Sequence, residues 1–141
     1  MQYISHNTEE TIEIGKKIGQ MCKSGTVISL RGSLGAGKTV IAKGIAKALN
    51  IDEAIVSPTF TIIQEYKGTL PLYHMDLYRI SGCDEFEMLG GEEMLYGNGV
   101  TLIEWSEKIE EMLPEDTIFI DITIEENLDR TITLTKNREG L

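Results

Sequence analysis

A glycine-rich stretch in the first third of the chain constrains its fold more than any other feature. It matches the pattern G-x-x-x-x-G-K-[ST] at every fixed position. It reads Gly32-Ser33-Leu34-Gly35-Ala36-Gly37-Lys38-Thr39. A β-branched run at 26–30 precedes it and predicts a strand, and apolar residues in helical register at 41, 45 and 49 predict a helix over 38–49. The stretch therefore lies in the strand–turn–helix context that a phosphate-binding loop requires.

The chemistry of such a loop explains its residue types. Glycines let successive backbone N–H groups curl around phosphate oxygens, and the N-terminus of the following helix attracts an anion. We therefore expect residues 32–39 to bind the phosphates of a nucleotide. Lys38 is expected to reach the β- and γ-phosphates, and the hydroxyl of Thr39 is expected to hold a Mg²⁺.

The periodicity of the rest of the chain predicts an α/β protein. Helical stretches are expected at 8–22, 84–96 (interrupted by Gly90-Gly91) and 107–113. Further strands are expected at 54–57, 61–66, 70–76 and 100–104. Strict alternation at 118–124 and 128–134 predicts an antiparallel hairpin with one solvent-facing side. These elements predict a P-loop NTPase-like three-layer sandwich, whose mixed sheet has a parallel core and an antiparallel C-terminal hairpin.

Length and composition bound the remaining possibilities. With 141 residues, no internal repeat and no linker, the chain is expected to form one domain over residues 1–141. The 13 Lys and Arg against 23 Asp and Glu leave a net charge of −10, which argues against tight unaided binding to nucleic acid. No apolar run exceeds three residues, so no membrane span is expected. The isolated Cys22 and Cys83 are typical of reduced thiols in a cytoplasmic protein.

Three carboxylates in strand-like runs are candidates to complete a metal site. Glu104 ends the apolar run 100–104, and Asp76 ends the run 70–76. An acid at the carboxyl end of a buried strand lies where ligands bind in α/β sheets. Both are therefore candidate metal-site acids, with a buried structural carboxylate as the alternative for either. Asp121 lies on the polar face of an alternating strand and is expected to be a solvated acid.

Hydroxyl and aromatic side chains lie near these acids. Ser57, Thr59 and Thr61 suit a loop that senses a γ-phosphate or its Mg²⁺, although Ser and Thr are also common in ordinary turns. His74 is expected to be a packed or hydrogen-bonded histidine rather than a catalytic base. Trp105 is expected to anchor the core or an interface rather than to stack on a base.

Four motifs taken together resemble one known family. In chain order they are Leu34-Gly35-Ala36-Gly37-Lys38-Thr39, Ser57-Pro58-Thr59-Phe60-Thr61, His74-Met75-Asp76-Leu77-Tyr78-Arg79 and Leu102-Ile103-Glu104-Trp105. Their order and spacing are similar to those of the TsaE (YjeE) family, the bacterial ATPases of tRNA threonylcarbamoyladenosine biosynthesis. The resemblance covers essentially the whole chain. Ser106 stands where some members have Pro, which bears only on the local turn after Trp105.

The resemblance implies a role for each residue of the site. Lys38 and the rest of the loop would bind the phosphates of ATP, and Thr39 and Glu104 would ligate Mg²⁺. Asp76 would take a Walker-B-like role beside them. Lys38, Asp76 and Glu104 are therefore the expected catalytic residues.

The resemblance also implies a setting for this site. Thr59 and Thr61 would belong to a switch-I-like loop, and Trp105 would lie beside the nucleotide. Adenine contacts would come from the segment near Thr8 and from the C-terminal hairpin. The implied partners are the threonylcarbamoyl-transferase subunit TsaD and its paralogous partner TsaB, so tRNA would be met only indirectly.

Two absences from the sequence refine this expectation. The Asn-Lys-x-Asp signature of GTPases is missing, and Asp76-Leu77-Tyr78-Arg79 lacks the glycine of their Asp-x-x-Gly switch, so ATP is favoured. The only arginines are at positions 31, 79, 130 and 138, and none is evidently an arginine finger. Because such fingers contribute about 10³–10⁵ in rate, we expect slow hydrolysis by the chain alone and acceleration by partners.

Two other functions remain open at this point. A small-molecule kinase would use the same loop, but it needs an acceptor pocket and an arginine-rich lid, for which 141 residues and four arginines leave little material. A nucleotide-gated interaction module, in which bound ATP sets the affinity for a partner, is not separated from an ATPase by the sequence.

Overall fold

A computed structural model of the chain describes residues 1–33, 36–58 and 61–136. In chain order the elements are β1 (Gln2–Ser5), α1 (Thr8–Met21), β2 (Val27–Gly32), α2 (Lys38–Ala48), β3 (Ile63–Tyr66), β4 (Leu72–Asp76), α3 (Cys83–Met88), α4 (Gly91–Leu95), β5 (Val100–Glu104), a 3₁₀ segment (Ser106–Met112), β6 (Ile118–Ile124) and β7 (Arg130–Lys136).

The strands form one mixed sheet in the order β1-β7-β6-β2-β5-β4-β3. Its centre, β6-β2-β5-β4, is parallel, while β7 pairs antiparallel with both β6 and β1, and β3 pairs antiparallel with β4. The predicted parallel core and C-terminal hairpin are confirmed. Because β2, β5 and β4 run parallel and adjacent, their carboxyl ends meet at one edge of the sheet.

Apolar side chains on the two faces of the sheet bury two separate layers of helices. On one face, Ile28 and Leu30 pack with Ile18 of α1 and Ile45 of α2. On the opposite face, Val27 and Ile103 pack with Phe86 of α3, Leu95 of α4 and Ile109 of the 3₁₀ segment. The alternation of side chains along each strand produces this division. The three-layer α/β sandwich is thus confirmed. Within the described ranges, no helix has both the length and the apolar character to cross a membrane.

One predicted strand is wrong and one observed strand was not predicted, because both outcomes depend on distant partners. The strand expected at 54–57 does not form, since β3 occupies the edge of the sheet beside β4 and residues 54–57 pair with no strand that the structure describes. Conversely, β1 was not predicted, because its four residues carry little pattern of their own and are ordered by pairing with β7.

Several element boundaries differ from the predicted ones. Strands β3 and β4 each begin two residues later than expected, and β7 begins at Arg130 because Leu128 adopts a left-handed conformation (φ 72°) in the hairpin turn. The stretch 84–96 divides into α3 and α4 as predicted, with Gly90 between them at φ 79°. The helix expected at 107–113 is a 3₁₀ segment.

Candidate phosphate and metal site

The glycine-rich loop connects the end of β2 to the start of α2. Leu34 and Gly35 lie outside the described residues. Of the residues on either side of them, Ala36 donates its N–H to the carbonyl of Ser33 at 3.0 Å. Gly37 directly precedes α2 in a left-handed conformation (φ 109°), which only glycine adopts without strain. No described side chain caps the N-terminus of α2. The first N–H groups of α2 and its dipole therefore favour an anion at the loop.

Glu104, the last residue of β5, connects the loop to the neighbouring strands. Its Oε1 lies 3.3 Å from Nζ of Lys38, and its Oε2 lies 3.0 Å from Nε2 of His74. Burial is the largest influence on the pKa of Glu104 and acts to raise it. The hydrogen bonds and charges of His74 and Lys38 together outweigh burial, so the pKa lies below the ordinary value of 4.5. Glu104 is therefore a buried, ionised carboxylate beside the loop lysine. The prediction that His74 is hydrogen-bonded is confirmed.

Asp76 lies on the next strand, directly beside Glu104. The two residues are paired in the register of β4 and β5, and both are buried. The Oδ1 of Asp76 accepts a hydrogen bond from the N–H of Tyr78 at 3.1 Å. Two acidic residues thus end neighbouring strands at the carboxyl edge of the sheet. The half-buried Thr39 lies in the first turn of α2, directly after Lys38.

This donor set suits Mg²⁺ better than a transition metal. The described residues contain no cluster of three or more His, Cys, Asp or Glu side chains able to hold a metal ion. Mg²⁺ does not need one, because it is usually held by one or two carboxylates together with phosphate oxygens and water. Asp121 lies within β6 in register with Arg31, where it is half-buried rather than fully solvated. Leu30 pairs with both Glu104 and Ile120, so Asp121, the residue after Ile120, lies on the opposite face of the sheet from Glu104.

The hydroxyl-rich segment reaches the site through its backbone. Thr59 and Phe60 lie outside the described residues; Ser57 is exposed, and the hydroxyl of Thr61 is 3.4 Å from Oε1 of Gln64. The carbonyl of Ile62 accepts a hydrogen bond from the N–H of Asp76 at 2.8 Å. Ile62 has φ 68°, which is strained for a β-branched residue. The segment is therefore attached to Asp76 by a strained turn.

Trp105 follows Glu104 directly and turns outward. It adopts φ 63° and is 42% exposed, so it is not a core anchor. Its ring lies 4.9 Å from that of Tyr78 between centroids, with a tilt of 55°. Trp105 also lines a cavity of about 90 Å³ together with Lys38, Arg31 and Glu107. It thus lies beside the phosphate loop, on the surface.

A larger cleft of about 360 Å³ opens on the other side of the loop. Its lining includes Thr8, Asn7, Gly37, Leu128 and Arg130. Arg130 joins the hairpin to the loop: its Nε donates to the carbonyl of Ala36 at 3.0 Å, and its Nη1 donates to the carbonyl of Leu128 at 2.6 Å. The segment near Thr8 and the hairpin therefore converge on one cleft next to the phosphate loop.

Comparison with known proteins identifies the family. The family model described as "Threonylcarbamoyl adenosine biosynthesis protein TsaE" matches residues 5–132. The chain belongs to the TsaE family. A tRNA threonylcarbamoyladenosine biosynthesis protein TsaE from Treponema pallidum is 41% identical over 134 residues, which are 95% of this chain and 99% of that protein. Its counterpart from Bacillus subtilis is 49% identical over 130 residues, covering 92% and 81% of the two chains.

A solved structure confirms the fold of this TsaE-family chain. The crystal structure of Bacillus subtilis YdiB matches it with a TM-score of 0.83 and 41% identity, covering 99% of this chain and 86% of that one. The predicted P-loop NTPase-like fold is therefore confirmed, as is the resemblance to TsaE. The chain accordingly has a TsaE role in the biosynthesis of threonylcarbamoyladenosine in tRNA.

Sequence reasoning did not single out two residues that line the cleft beside the loop of this TsaE-family chain. Arg130 was considered only as one of the four arginines, and Asn7, whose Oδ1 caps α1 by accepting from the N–H of Glu10, carried no motif. An asparagine before a helix and an arginine just after a turn are weak signals. Only the convergence of α1, the loop and the hairpin makes these residues neighbours.

Proposed function

We propose that this chain binds Mg-ATP at the loop 32–39 and hydrolyses it in support of tRNA threonylcarbamoylation, together with the transferase subunits TsaD and TsaB. The observation that carries this proposal is the contact between Lys38 and Glu104, 3.3 Å apart at the end of β5 and the start of α2. A partly buried lysine and a buried carboxylate at a phosphate-type loop are the two charges that a nucleotide–metal pair requires.

The residues present fit ATP phosphates and Mg²⁺. Lys38 and the uncapped N–H groups at the start of α2 would hold the phosphates, and Thr39, Glu104 and Asp76 would hold the metal. Bound Mg²⁺ supplies positive charge that stabilises the developing negative charge on the phosphoryl oxygens. In the chain alone, Lys38 and Glu104 neutralise each other, so the buried carboxylate has a partner until phosphate and metal would provide each group with another one.

The surroundings of the loop favour slow hydrolysis by the chain alone. Of the arginines near the loop, Arg130 is engaged with two backbone carbonyls, and the guanidinium of Arg31 lies 4.7 Å above the ring of Phe119. Neither is arranged as an arginine finger. We therefore propose that partner proteins accelerate turnover, and that tRNA is handled by those partners because this chain carries a net charge of −10.

Three substitutions test the nucleotide site. Lys38→Ala should weaken ATP binding by about 30-fold or more, because the charge contact between a partly buried ammonium and the phosphates is lost. Glu104→Gln should retain most ATP binding but lower the hydrolysis rate by about 100-fold, because loss of a metal ligand costs several kcal/mol of transition-state stabilisation. Asp121→Asn is the matched control and should change neither quantity. ATP affinity is measured by titration calorimetry, and hydrolysis by phosphate release.

Two outcomes would contradict the proposal. Unchanged ATP affinity in Lys38→Ala would exclude the loop as the nucleotide site. An Asp121→Asn variant as inactive as Glu104→Gln would show that the metal lies beside β6 instead.

The role of partners is tested by comparing turnover with and without purified TsaD and TsaB, and equal rates would exclude stimulation.

A further inference from the structure

A buried histidine lies behind Glu104, and the proposed chemistry does not use it directly. His74 is the central residue of β4 and has no exposed surface. Its Nε2 is 3.0 Å from Oε2 of Glu104, whereas its Nδ1 is buried and lacks a hydrogen-bond partner in the described part of the chain. His74 thus contacts the candidate metal ligand, Glu104.

The strand geometry explains why the imidazole reaches this carboxylate. Side chains alternate along a strand, so His74 and Asp76 share the face of β4 that carries Leu72, and Glu104 shares the face of β5 that carries Leu102. Leu72 and Leu102 both pack in the apolar cluster beneath α1 and α2. His74, Asp76 and Glu104 therefore lie on the α2 side of the sheet.

The hydrogen bond between the two side chains has a defined direction. A carboxylate only accepts hydrogen bonds, so Nε2 of His74 carries the hydrogen and donates it to Glu104. With Oε2 occupied in this way, Oε1 is the oxygen that faces Lys38. Side chains that donate to a metal-ligating group in this manner fix its orientation.

The unpartnered nitrogen argues against a purely structural role for His74. Leaving a buried polar atom without a partner costs about 1–3 kcal/mol. A leucine at this position would fill similar space without that cost. The hydrogen bond that His74 donates to Glu104 is therefore the feature that explains a histidine at this position.

We propose that His74 is the positioning residue for Glu104: its Nε2–H holds Oε2, so that Oε1 faces Lys38 and the loop, where it would ligate a divalent cation that binds with a nucleotide. This inference rests on the proposed function, because it assigns His74 a part in the binding of Mg²⁺ with ATP.

Substitutions that keep or remove the donor test this role. His74→Gln places an amide N–H near the position of Nε2, His74→Asn carries a shorter amide that does not reach Glu104, and His74→Leu has no donor. Met75→Leu, a buried change at the next residue on the opposite face, is the control. Calorimetry measures the Mg²⁺ concentration that half-saturates binding of β,γ-methylene-ATP, a non-hydrolysable analogue, and the affinity for the same analogue without metal. Thermal unfolding verifies that each variant is folded.

We expect His74→Leu and His74→Asn to raise the half-saturating Mg²⁺ concentration about 10- to 100-fold. His74→Gln should recover most of this loss, Met75→Leu should match the parent protein, and the metal-free affinity should be the same in all of them. In the metal-free parent protein, the Nε2–H of His74 should give a ¹⁵N-coupled proton signal protected from exchange, and Glu104→Leu should abolish that protection.

Equal Mg²⁺ dependence in the parent protein and in folded His74→Leu would overturn the inference. An equal rise of the half-saturating Mg²⁺ concentration in His74→Gln and His74→Asn would also overturn it, because the shape of the side chain rather than its hydrogen-bond donor would then matter. This pair of variants decides the question even if His74→Leu does not fold. Failure of the proposed function is distinguishable, since it would be seen in the parent protein as absence of Mg²⁺-dependent nucleotide binding, and that result would overturn the inference with it.

Discussion

Glu104 is the single residue on which the described contacts of the site converge. Its two carboxylate oxygens bind Lys38 of the loop helix and His74 of the neighbouring strand. Burial acts to raise its pKa, but the two partners together favour its ionised form more strongly, so its pKa is lowered. A carboxylate whose pKa is lower in the folded chain than in the unfolded one stabilises the fold at neutral pH and loses that contribution in acid.

The stability of the fold should therefore depend on the protonation of Glu104. Its contribution is complete above its ordinary pKa of 4.5 and is lost as pH falls through the lower pKa of the folded chain. We expect the difference in unfolding free energy between the parent protein and Glu104→Gln to shrink as pH is lowered from 7 through this window. Denaturant unfolding at each pH measures it, with the exposed Glu107→Gln as a control. If the difference in unfolding free energy stayed constant in acid, ionised Glu104 would not be the group that stabilises the fold.

The two cysteines, which are free, differ in what keeps them protonated. A hydrogen bond to Glu111, at 3.0 Å, is the main cause that raises the pKa of Cys83 to about 11, whereas burial raises the pKa of Cys22 to about 11. Because the thiolate is the reactive form, both should react slowly with iodoacetamide at pH 8. Glu111→Gln should accelerate alkylation at Cys83 by about 10-fold or more and leave Cys22 unchanged. Peptide mass spectrometry measures both rates, and equal acceleration at both sites would indicate unfolding instead.

At the scale of elements, the position of the phosphate loop depends on how closely α1 and α2 pack. Glycines replace side chains where the two helices meet: a Cβ on Gly15 would lie 2.6 Å from the carbonyl oxygen of Ile41, and a Cβ on Gly44 would overlap the carbonyl oxygen of Ile12. Because α2 begins at Lys38, directly after the loop, this backbone contact holds the N-terminus of α2 in place.

Filling this contact should cost stability. Gly44→Ala is expected to lower the free energy of unfolding by about 1–3 kcal/mol through overpacking, even though alanine favours a helix by about 1 kcal/mol over glycine. Lys43→Ala, an exposed change at the adjacent position of the same helix, should stay within about 0.5 kcal/mol of the parent protein. Urea unfolding measures both variants. A higher free energy of unfolding in Gly44→Ala than in the parent protein would show that α1 and α2 move apart at little cost.

At the scale of the whole molecule, the strand order assembles the site. β2 lies between β6 and β5, so the carboxyl end of β5 is next to the loop that leaves β2, and β4 follows on the outer side. This order places Glu104 beside Lys38, although 65 residues separate them in the chain. The parallel centre of the sheet therefore acts as the frame that holds loop, carboxylates and histidine together.

Binding at this edge should stabilise the entire fold. A ligand at 100 times its dissociation constant adds about 2.7 kcal/mol, which corresponds to a rise in Tm of about 5–10 °C for a chain of this size. We expect Mg-ATP to raise the Tm of the parent protein by this amount. Binding that is about 30-fold weaker leaves the ligand at only about 3 times its dissociation constant, so the Tm of Lys38→Ala should rise by no more than about a third as much. Differential scanning calorimetry measures both. An equal rise in the two proteins would mean that ATP binds elsewhere.

The sequence alone determined the phosphate loop, the helices on either side of it and the hairpin at the C-terminal end. These features are local: the motif lies within eight residues, and the periods of α2 and of β6–β7 follow from residues close together in the chain. The tertiary structure alone decided that strand β1 forms and that residues 54–57 form no strand. It also decided that Glu104 contacts His74 as well as Lys38. Pairing and burial between segments far apart in the chain depend on which strands become neighbours, and no local pattern encodes that choice.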